Sequence, residues 1–259
     1  MNTVLELFHE LKQHKWLELS HELYPDSPHW SGFPYDAFEL NKTLFDWQEL
    51  GGAELQVMTQ KFVGQFGTHI DAPNHFIRNG PGVGFFDVKD LCMPLCVVDV
   101  SEEVKENNDY AVQLSDIEAY ETAHGKIEAG SFVALRTDWS KRWPDMDQMM
   151  MTDAEGQNHF PGWSIEVVKF LLDQRGVAAI GHETLDPDAA MEIVKHGDYA
   201  CERYVLSQNK FQIEALKDLD QVPPCGAVIL IGVPRIMDAC GMPVRAWAIL
   251  PVRAWAILP

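Results

Sequence analysis

The chain is poor in basic residues. Its 259 residues include 20 Lys and Arg against 39 Asp and Glu, so the formal net charge is −19. A field of that sign repels phosphate backbones, and the sequence has no cluster of Lys and Arg to offset it. We therefore expect no nucleic-acid partner, and we expect most of the acidic charge to lie on the solvated surface.

Cysteine is also scarce, and long apolar runs are absent. The cysteines form no Cys-x-x-Cys pair and are odd in number, which argues against a zinc knuckle and a disulfide framework. They are typical of reduced thiols in a cytosolic protein: Cys92, Cys96, Cys201, Cys225 and Cys240. No apolar run is long enough to cross a bilayer, and the acidic, amphipathic segment 1–14 resembles neither a signal peptide nor a transit peptide. We expect a cytoplasmic protein with no membrane association.

Buried strands alternate with helices along the chain. Near-continuous apolar runs, or in 54–63 an alternating pattern, predict the strands. Helical spacing of apolar residues between a capping residue and a glycine predicts the helices. The predicted strands are 54–63, 93–100, 131–139, 177–180, 227–234 and 243–250, and the predicted helices begin at Thr3, Ser115 and Ser164, the last two ending at Gly125 and Gly176. This order predicts an α/β fold in a single domain over residues 1–259, with a central mixed sheet flanked by helices.

The C-terminus carries a perfect duplication. The sequence PVRAWAIL occupies 243–250 and recurs at 251–258. One copy can form the last strand of the sheet, and the second cannot fill the same place. We interpret segment 251–259 as an exposed tail, a strand exchanged in an oligomer, or an artefact.

The segment QFGTHIDAPNHF, residues 65–76, concentrates polar side chains that suit a metal. In an extended segment, alternation puts His69 and Asp71 on one face, with Cα atoms about 6.6 Å apart. Gln65 would lie about 13 Å from His69 in a straight strand and reaches the site only if the chain bends, for which Gly67 is the candidate hinge. Pro73 favours a turn that brings His75 back over the same face.

Residue types alone leave two interpretations of this segment open. His and Asp suit a divalent transition metal, and a third ionisable group beside them suits a general base. The alternative is a polar, His-rich loop that binds no metal.

The motif Gly67-Thr68-His69-x-Asp71-x-Pro73-x-His75 resembles the signature His-x-Gly-Thr-His-x-Asp-x-Pro-x-His of the cyclase family of metal-dependent hydrolases. That family includes bacterial kynurenine formamidases and isatin hydrolases. Segments LSHELYPDSPHWSGFP, NHFPGWSIEVVKFLLDQRGVAAIG and PVRAWAIL resemble further family blocks, so the resemblance covers nearly the whole chain. The resemblance implies a fold of swivelling β/α/β type. Only the second copy of PVRAWAIL lies beyond the usual end of the family.

The resemblance implies roles for individual positions. It implies that His69 and Asp71 are metal ligands and that His75 is a proton shuttle. The family's first His falls on Gln65, and its distal His, twelve residues before the ligand Glu214, falls on Glu202. Because oxygen donors replace imidazoles at both places, the site favours Mn²⁺, or even Mg²⁺ or Ca²⁺, over Zn²⁺. We expect one divalent ion per chain, Mn²⁺ or Zn²⁺.

The resemblance also implies hydrolysis of an amide-type C–N bond by activated water, with His75 as general base and acid. No Gly-x-Ser-x-Gly elbow is present, which argues against a serine hydrolase.

Trp30 and Phe33 are candidates to stack on a small-molecule substrate, with ordinary packing as the alternative. His182 is a candidate ligand or substrate contact, or else a polar loop residue. Other hypotheses are lactone or cyclic-imide opening on the same scaffold, and a binding protein that has lost catalysis. The family resemblance suggests a homodimer or homotetramer.

Overall fold

The computed structural model describes residues 3–30, 32–34, 37–50 and 53–251. Within these residues the strands are β1 (Lys15–Glu18), β2 (Glu39–Leu50), β3 (Ala53–Lys61), β4 (His69–Asp71), β5 (Cys92–Asp99), β6 (Phe132–Arg136), β7 (Ala179–His182), β8 (Phe211–Glu214), β9 (Ala227–Gly232), β10 (Gly241–Pro243) and β11 (Arg245–Leu250). The α-helices are α1 (Val4–Leu11), α2 (Ser101–Glu106), α3 (Leu114–His124), α4 (Met146–Met150), α5 (Ile165–Lys169), α6 (Ala190–His196) and α7 (Ala200–Ser207).

The strands form a large mixed sheet in the order β1-β11-β9-β5-β6-β7-β8-β4-β10. The central strands β5, β6, β7 and β8 are parallel, and the outer pairings are antiparallel. Strands β2 and β3 form a separate antiparallel sheet of their own. The predicted α/β fold with a central mixed sheet flanked by helices is confirmed.

The large sheet separates two apolar cores. Strand β6 shows why, because its side chains alternate between the faces. Val133 and Leu135 pack in the core that also contains residues of α3, α5 and α7, whereas Phe132 and Ala134 pack in the core on the opposite face. All four side chains are fully buried, which explains why the sequence of this strand is continuously apolar.

The start of one helix and the capping of another differ from the sequence prediction. Helix α3 begins one residue earlier than expected, because Gln113 and Asp116 form its capping box. Ser164 does precede α5, but its hydroxyl donates to the carbonyl of Val112 and does not cap the helix. The capping box of Thr3 and Glu6 on α1 is present as predicted.

The first copy of the C-terminal duplication fills the predicted place in the sheet. Strand β11 lies between β1 and β9 and is antiparallel to both. The second copy spans residues 251–258, of which all but Pro251 lie outside the described part of the chain. Among the described helices, none is both long and apolar enough to cross a membrane.

Candidate metal centre and cavity

Two neighbouring strands bring three potential ligands together. His69 and Asp71 lie on β4, and β8 runs antiparallel to it with Glu214 opposite His69. His69 Nε2 lies 3.4 Å from Asp71 Oδ2 and 3.4 Å from Glu214 Oε2. All three side chains are buried. The fold therefore brings His69, Asp71 and Glu214 together, as expected from the sequence.

The orientation of His69 is set by the backbone next to it. Its Nδ1 lies 2.9 Å from the carbonyl oxygen of Gly67, which accepts a hydrogen bond. That bond assigns the ring proton to Nδ1 and leaves the lone pair of Nε2 directed at the two carboxylates. Nε2 is buried and has no hydrogen-bond partner among the described residues.

Gly67 and Thr68 place the motif against the rest of the sheet. Gly67 has φ +61°, a left-handed conformation that other residues rarely adopt, so the chain bends there as the sequence predicted. The Thr68 hydroxyl donates to the carbonyl of Ala215 and accepts from the backbone N–H of His21. These bonds tie the start of β4 to the segment after β8 and to the N-terminal segment.

A second group of ligand atoms lies beside the first and shares Asp71. His75 follows β4 in a short 3-10 helix, and its Nε2 lies 3.6 Å from Glu202 Oε1. Asp71, His75 and Glu202 offer atoms within 4.8 Å of one another. The carboxylate of Asp188 accepts hydrogen bonds from the backbone N–H groups of Cys201 and Glu202, which holds the start of α7 in place.

Gln65 takes a different role from the one its position suggested. The bend at Gly67 does bring it back to the site, but its Nε2 donates to Asp71 Oδ1 at 3.1 Å and lies 3.7 Å from Cys240 Sγ. In this orientation Gln65 supports Asp71 and offers no oxygen to an ion. Gln65 is thus a hydrogen-bond donor to Asp71, and its role as a metal ligand stays a prediction.

The residues of this centre fit a divalent cation. An unpartnered buried nitrogen and crowded buried carboxylates are costly unless something compensates them. His69 Nε2 is such a nitrogen, and Asp71 and Glu214 are such carboxylates. One imidazole with carboxylate oxygens is a donor set suited to Mn²⁺ or Zn²⁺.

The pKa values of the acids report the same crowding. Burial, followed by the charge of Asp71, raises the pKa values of Glu202 and Glu214 well above their usual range. Burial, with Asp188 and Asp71 next, raises the pKa of Asp186 to about 8. Burial acts in the same direction on Asp71, but its interactions with His69, and then with His75 and Gln65, outweigh burial and lower the pKa to about 2. The potential at the centre is therefore strongly negative, which favours a cation.

A cavity of about 220 Å³ opens onto both groups of ligand atoms. Trp30 and Phe33, the predicted substrate contacts, lie in its wall, and Trp30 is 54% exposed. Besides these two and Gln65, the lining consists of Pro28, His29, Gly67, His69, Asp71, His75, Phe76, Leu185, Asp186, Tyr199, Glu202 and Glu214.

His182 does not belong to this lining. It is the last residue of β7, is fully buried, and its Nε2 lies 3.7 Å from Glu214 Oε1. Burial, with the charge of His69 second, lowers the pKa of His182 to about 3, so it is neutral. The prediction of a substrate contact at His182 therefore disagrees with the structure, because the side chain lies behind Glu214. The suggestion of a polar loop residue fails for the same reason.

Two residues at the centre, Gln212 and Asp186, were not predicted from the sequence, although strand alternation identifies Gln212. Gln212 lies two residues before Glu214 on β8, so strand alternation puts both on one face. Its Nε2 donates to Glu214 Oε1 at 3.0 Å and lies 3.4 Å from Asp71 Oδ2. Asp186 lies in the segment GHETLDPD, in which only His182 was predicted to belong to the site.

Replacement of Gln212 by Leu should weaken metal binding about 10- to 100-fold, because outer-shell donors of this kind fix the orientation of ligating carboxylates. Isothermal titration of Mn²⁺ into the variant measures this. The fold should persist at some cost in stability, because Leu fills a volume similar to that of the buried Gln212 while Asp71 and Glu214 lose a donor. Gln208→Leu on the surface is the matched control. Equal affinities of the Gln212 variant and the parent would show that Gln212 has no such role.

Comparisons with known proteins identify relatives of this chain. Residues 17–189 match the Cyclase family, described as "Putative cyclase". An isatin hydrolase of Roseibium aggregatum is 32% identical over 188 residues, covering 71% of each chain. A kynurenine formamidase of Bacillus anthracis is 26% identical over 242 residues, covering 91% of this chain and 98% of the relative.

The solved structures show the same relationship. An isatin hydrolase A from Labrenzia aggregata bound to benzyl benzoate superposes with a TM-score of 0.86 at 28% identity, covering 96% of this chain and 99% of that one. The chain belongs to the Cyclase family, and it is an enzyme of the hydrolase class, as the motif predicted.

Proposed function

We propose that the chain is a metal-dependent hydrolase that cleaves an amide-type C–N bond in a small molecule. The observation that carries this proposal is the buried set of His69, Asp71 and Glu214, in which Nε2 of His69 is directed at two carboxylates and has no partner. The named relatives, an isatin hydrolase and a kynurenine formamidase, support an amide-type bond.

We assign one divalent cation, Mn²⁺ or Zn²⁺, to His69, Asp71 and Glu214. When bound, such an ion polarises a carbonyl oxygen and lowers the pKa of water. Gln65 and Gln212 hold Asp71 from two sides, and Gln212 also donates to Glu214. These donors fix the carboxylates before substrate arrives.

His75 is the residue placed to move protons. Its side chain is 30% exposed on the cavity wall, and Glu202 lies within 3.6 Å of its Nε2. Burial lowers the pKa of His75, but a hydrogen bond that His75 donates to the sulfur of Cys240, and the charge of Asp71, outweigh this and raise it. We propose that His75 takes the proton from the attacking water and returns it to the leaving nitrogen.

The direct test is a panel of formyl-anilines, cyclic amides, cyclic imides and lactones, assayed with protein reconstituted with Mn²⁺ or Zn²⁺. We expect turnover of at least one amide and its loss after treatment with a chelator. Turnover confined to lactones or cyclic imides would select the alternative chemistry on this scaffold. Absence of any turnover by the metal-loaded protein would leave a binding protein instead.

We also propose that the protein is a cytoplasmic homo-oligomer. All five cysteines are free. In the described part of the chain, β2 and β3 pair only with each other and expose Leu44 and Trp47, which are 54% and 63% exposed. An isolated two-stranded hairpin is marginally stable in water, so a second copy of the chain is the partner we assign to it.

Light scattering should give a dimer or tetramer for the parent chain. Trp47→Asp should shift it towards monomer, because a charge replaces an exposed aromatic on the hairpin. Val88→Asp, at another exposed apolar side chain, is the matched control. A monomeric parent would contradict the assignment. A chain ending at Pro251 tests in the same assay whether the second PVRAWAIL copy contributes to assembly.

A further inference from the structure

Two cysteines outside the metal centre, Cys96 and Cys225, face each other where the pairing of β5 with β9 ends. The two strands are antiparallel, with Leu95 opposite Ala227. Gly226 has φ +86°, which marks a bulge that sets Gly226 and Ala227 together against Leu95. One position further along, the register therefore puts Cys96 opposite Cys225.

A backbone hydrogen bond fixes this register. The N–H of Val97 donates to the carbonyl of Pro224 at 2.9 Å, and Pro224 has no N–H with which to return the bond. Because hydrogen-bonded and non-hydrogen-bonded pairs alternate in an antiparallel ladder, the neighbouring pair of Cys96 and Cys225 is of the non-hydrogen-bonded kind. Residues of such a pair point to the same face of the sheet, with Cα atoms about 4.5 Å apart. Disulfides join cysteines whose Cα atoms are about 4.4 to 6.8 Å apart, so the backbone suits a cross-strand link here.

Helix α3 covers the face to which both thiols point. The hydroxyl of Tyr120 on this helix donates to the carbonyl of Pro224 at 2.6 Å and is also in hydrogen-bonding contact with the thiol of Cys96. Burial raises the pKa values of Tyr120 and Cys96, and the nearby thiol of Cys225 contributes to both shifts. The two sulfurs therefore lie beside the same phenol ring.

The two thiols differ in their access to solvent. Cys225 is exposed, whereas Cys96 is buried, and burial raises the pKa of the Cys96 thiol. An oxidant in solution therefore reaches Cys225 first, and Cys96 is placed to react with the product. An accessible thiol beside a second, resolving thiol is the arrangement of redox-sensing cysteines.

We propose that Cys96 and Cys225 are a redox modification site at which hydrogen peroxide forms a reversible cross-strand disulfide. The sulfur of Cys225 attacks one peroxide oxygen, so that an S–O bond forms, the O–O bond breaks, and hydroxide leaves with the thiol proton as water. The sulfur of Cys96 then attacks the sulfenic acid. The S–S bond forms, the S–O bond breaks, and the proton of Cys96 leaves with hydroxide as a second water. The two thiols lose two electrons in total, and the peroxide gains them.

The disulfide should stabilise the fold without disturbing the metal centre. It joins residues that are far apart in the chain, which constrains the unfolded state most strongly. The candidate ligands lie on β4 and β8, and strands β6 and β7 separate β8 from β5 in the sheet. Transient disulfides of this kind are compatible with a reducing compartment, where they report oxidative conditions.

The test treats the reduced, full-length chain with equimolar hydrogen peroxide and maps cysteine pairs by mass spectrometry of an unreduced digest. We expect a peptide that links Cys96 to Cys225 and that a thiol reductant separates. The thermal midpoint of the oxidised protein should be at least about 5 °C higher than that of the reduced protein. Cys225→Ser should abolish both effects. Cys92→Ser is the matched control, because Cys92 is also exposed on β5 but faces Leu230, and this variant should behave like the parent.

Cys96→Ala tests the order of the two steps. Without its partner, Cys225 should stop at the sulfenic acid, which dimedone traps. A parent protein in which Cys225 is oxidised while Cys96 stays reduced, or in which Cys225 links to a second chain, would overturn the proposed pair. So would the absence of cysteine oxidation in excess peroxide. A linked peptide with an unchanged midpoint would contradict the stabilising effect.

Discussion

Replacement of Asp71 by Asn should abolish metal binding and, with it, hydrolysis. Asp71 is shared by both groups of ligand atoms, and Gln65 and Gln212 hold its two oxygens. Loss of outer-shell partners alone weakens metal sites about 10- to 100-fold, so loss of a shared ligand should exceed about 100-fold. Titration calorimetry with Mn²⁺ and Zn²⁺ measures the change, and the amide panel measures the loss of turnover.

The metal-free Asp71→Asn protein should remain folded, because the substitution removes one of several crowded acids. Circular dichroism of the metal-free parent and variant checks this. If the variant does not fold, Glu214→Gln serves the same purpose at the facing strand. Asp147→Asn should bind metal like the parent. Unchanged metal affinity in both Asp71→Asn and Glu214→Gln would show that the ion, if any, binds elsewhere.

Replacement of His75 by Ala should lower kcat about 10²- to 10⁴-fold while the metal content stays the same. The expected size is that of a lost general acid–base catalyst. Metal is retained because His69, Asp71 and Glu214 do not depend on His75 for their contacts. Steady-state kinetics and elemental analysis of the same preparation give both quantities, and added imidazole should restore part of the rate.

His29→Ala is the control for this experiment. His29 also lines the cavity, but its ring packs 4.2 Å from the ring of Phe38 and its Nδ1 contacts the carbonyl of Ser27, so its loss should affect KM more than kcat. If His75→Ala loses its metal together with its activity, His75 is a ligand in the group with Asp71 and Glu202. That result would contradict the role of proton shuttle.

The parts of the fold that the sequence predicted are those governed by local rules. Apolar runs located β5, β6 and β9, and strand alternation put His69 and Asp71 on one face. The absence of a side chain at Gly67 identified the bend. Each of these features depends on residues that are neighbours in the chain, so no knowledge of distant contacts was needed.

The parts that escaped prediction depend on contacts between distant segments. The approach of Glu202 to His75 requires α7 to pack on the turn after β4, which spacing does not reveal. The donation from Gln65 to Asp71 depends on the path of the chain after the bend. His182 is the clearest case, since a polar residue near a turn is buried here against Glu214 by the parallel pairing of β7 and β8.

Elemental analysis of the protein purified without chelator is the measurement that tests the central claim most directly. We predict about one equivalent of Mn²⁺ or Zn²⁺ per chain, lost in Asp71→Asn and retained in His75→Ala. A protein that contains neither metal, and that takes up neither on titration, would contradict the assignment of His69, Asp71 and Glu214 as a metal centre.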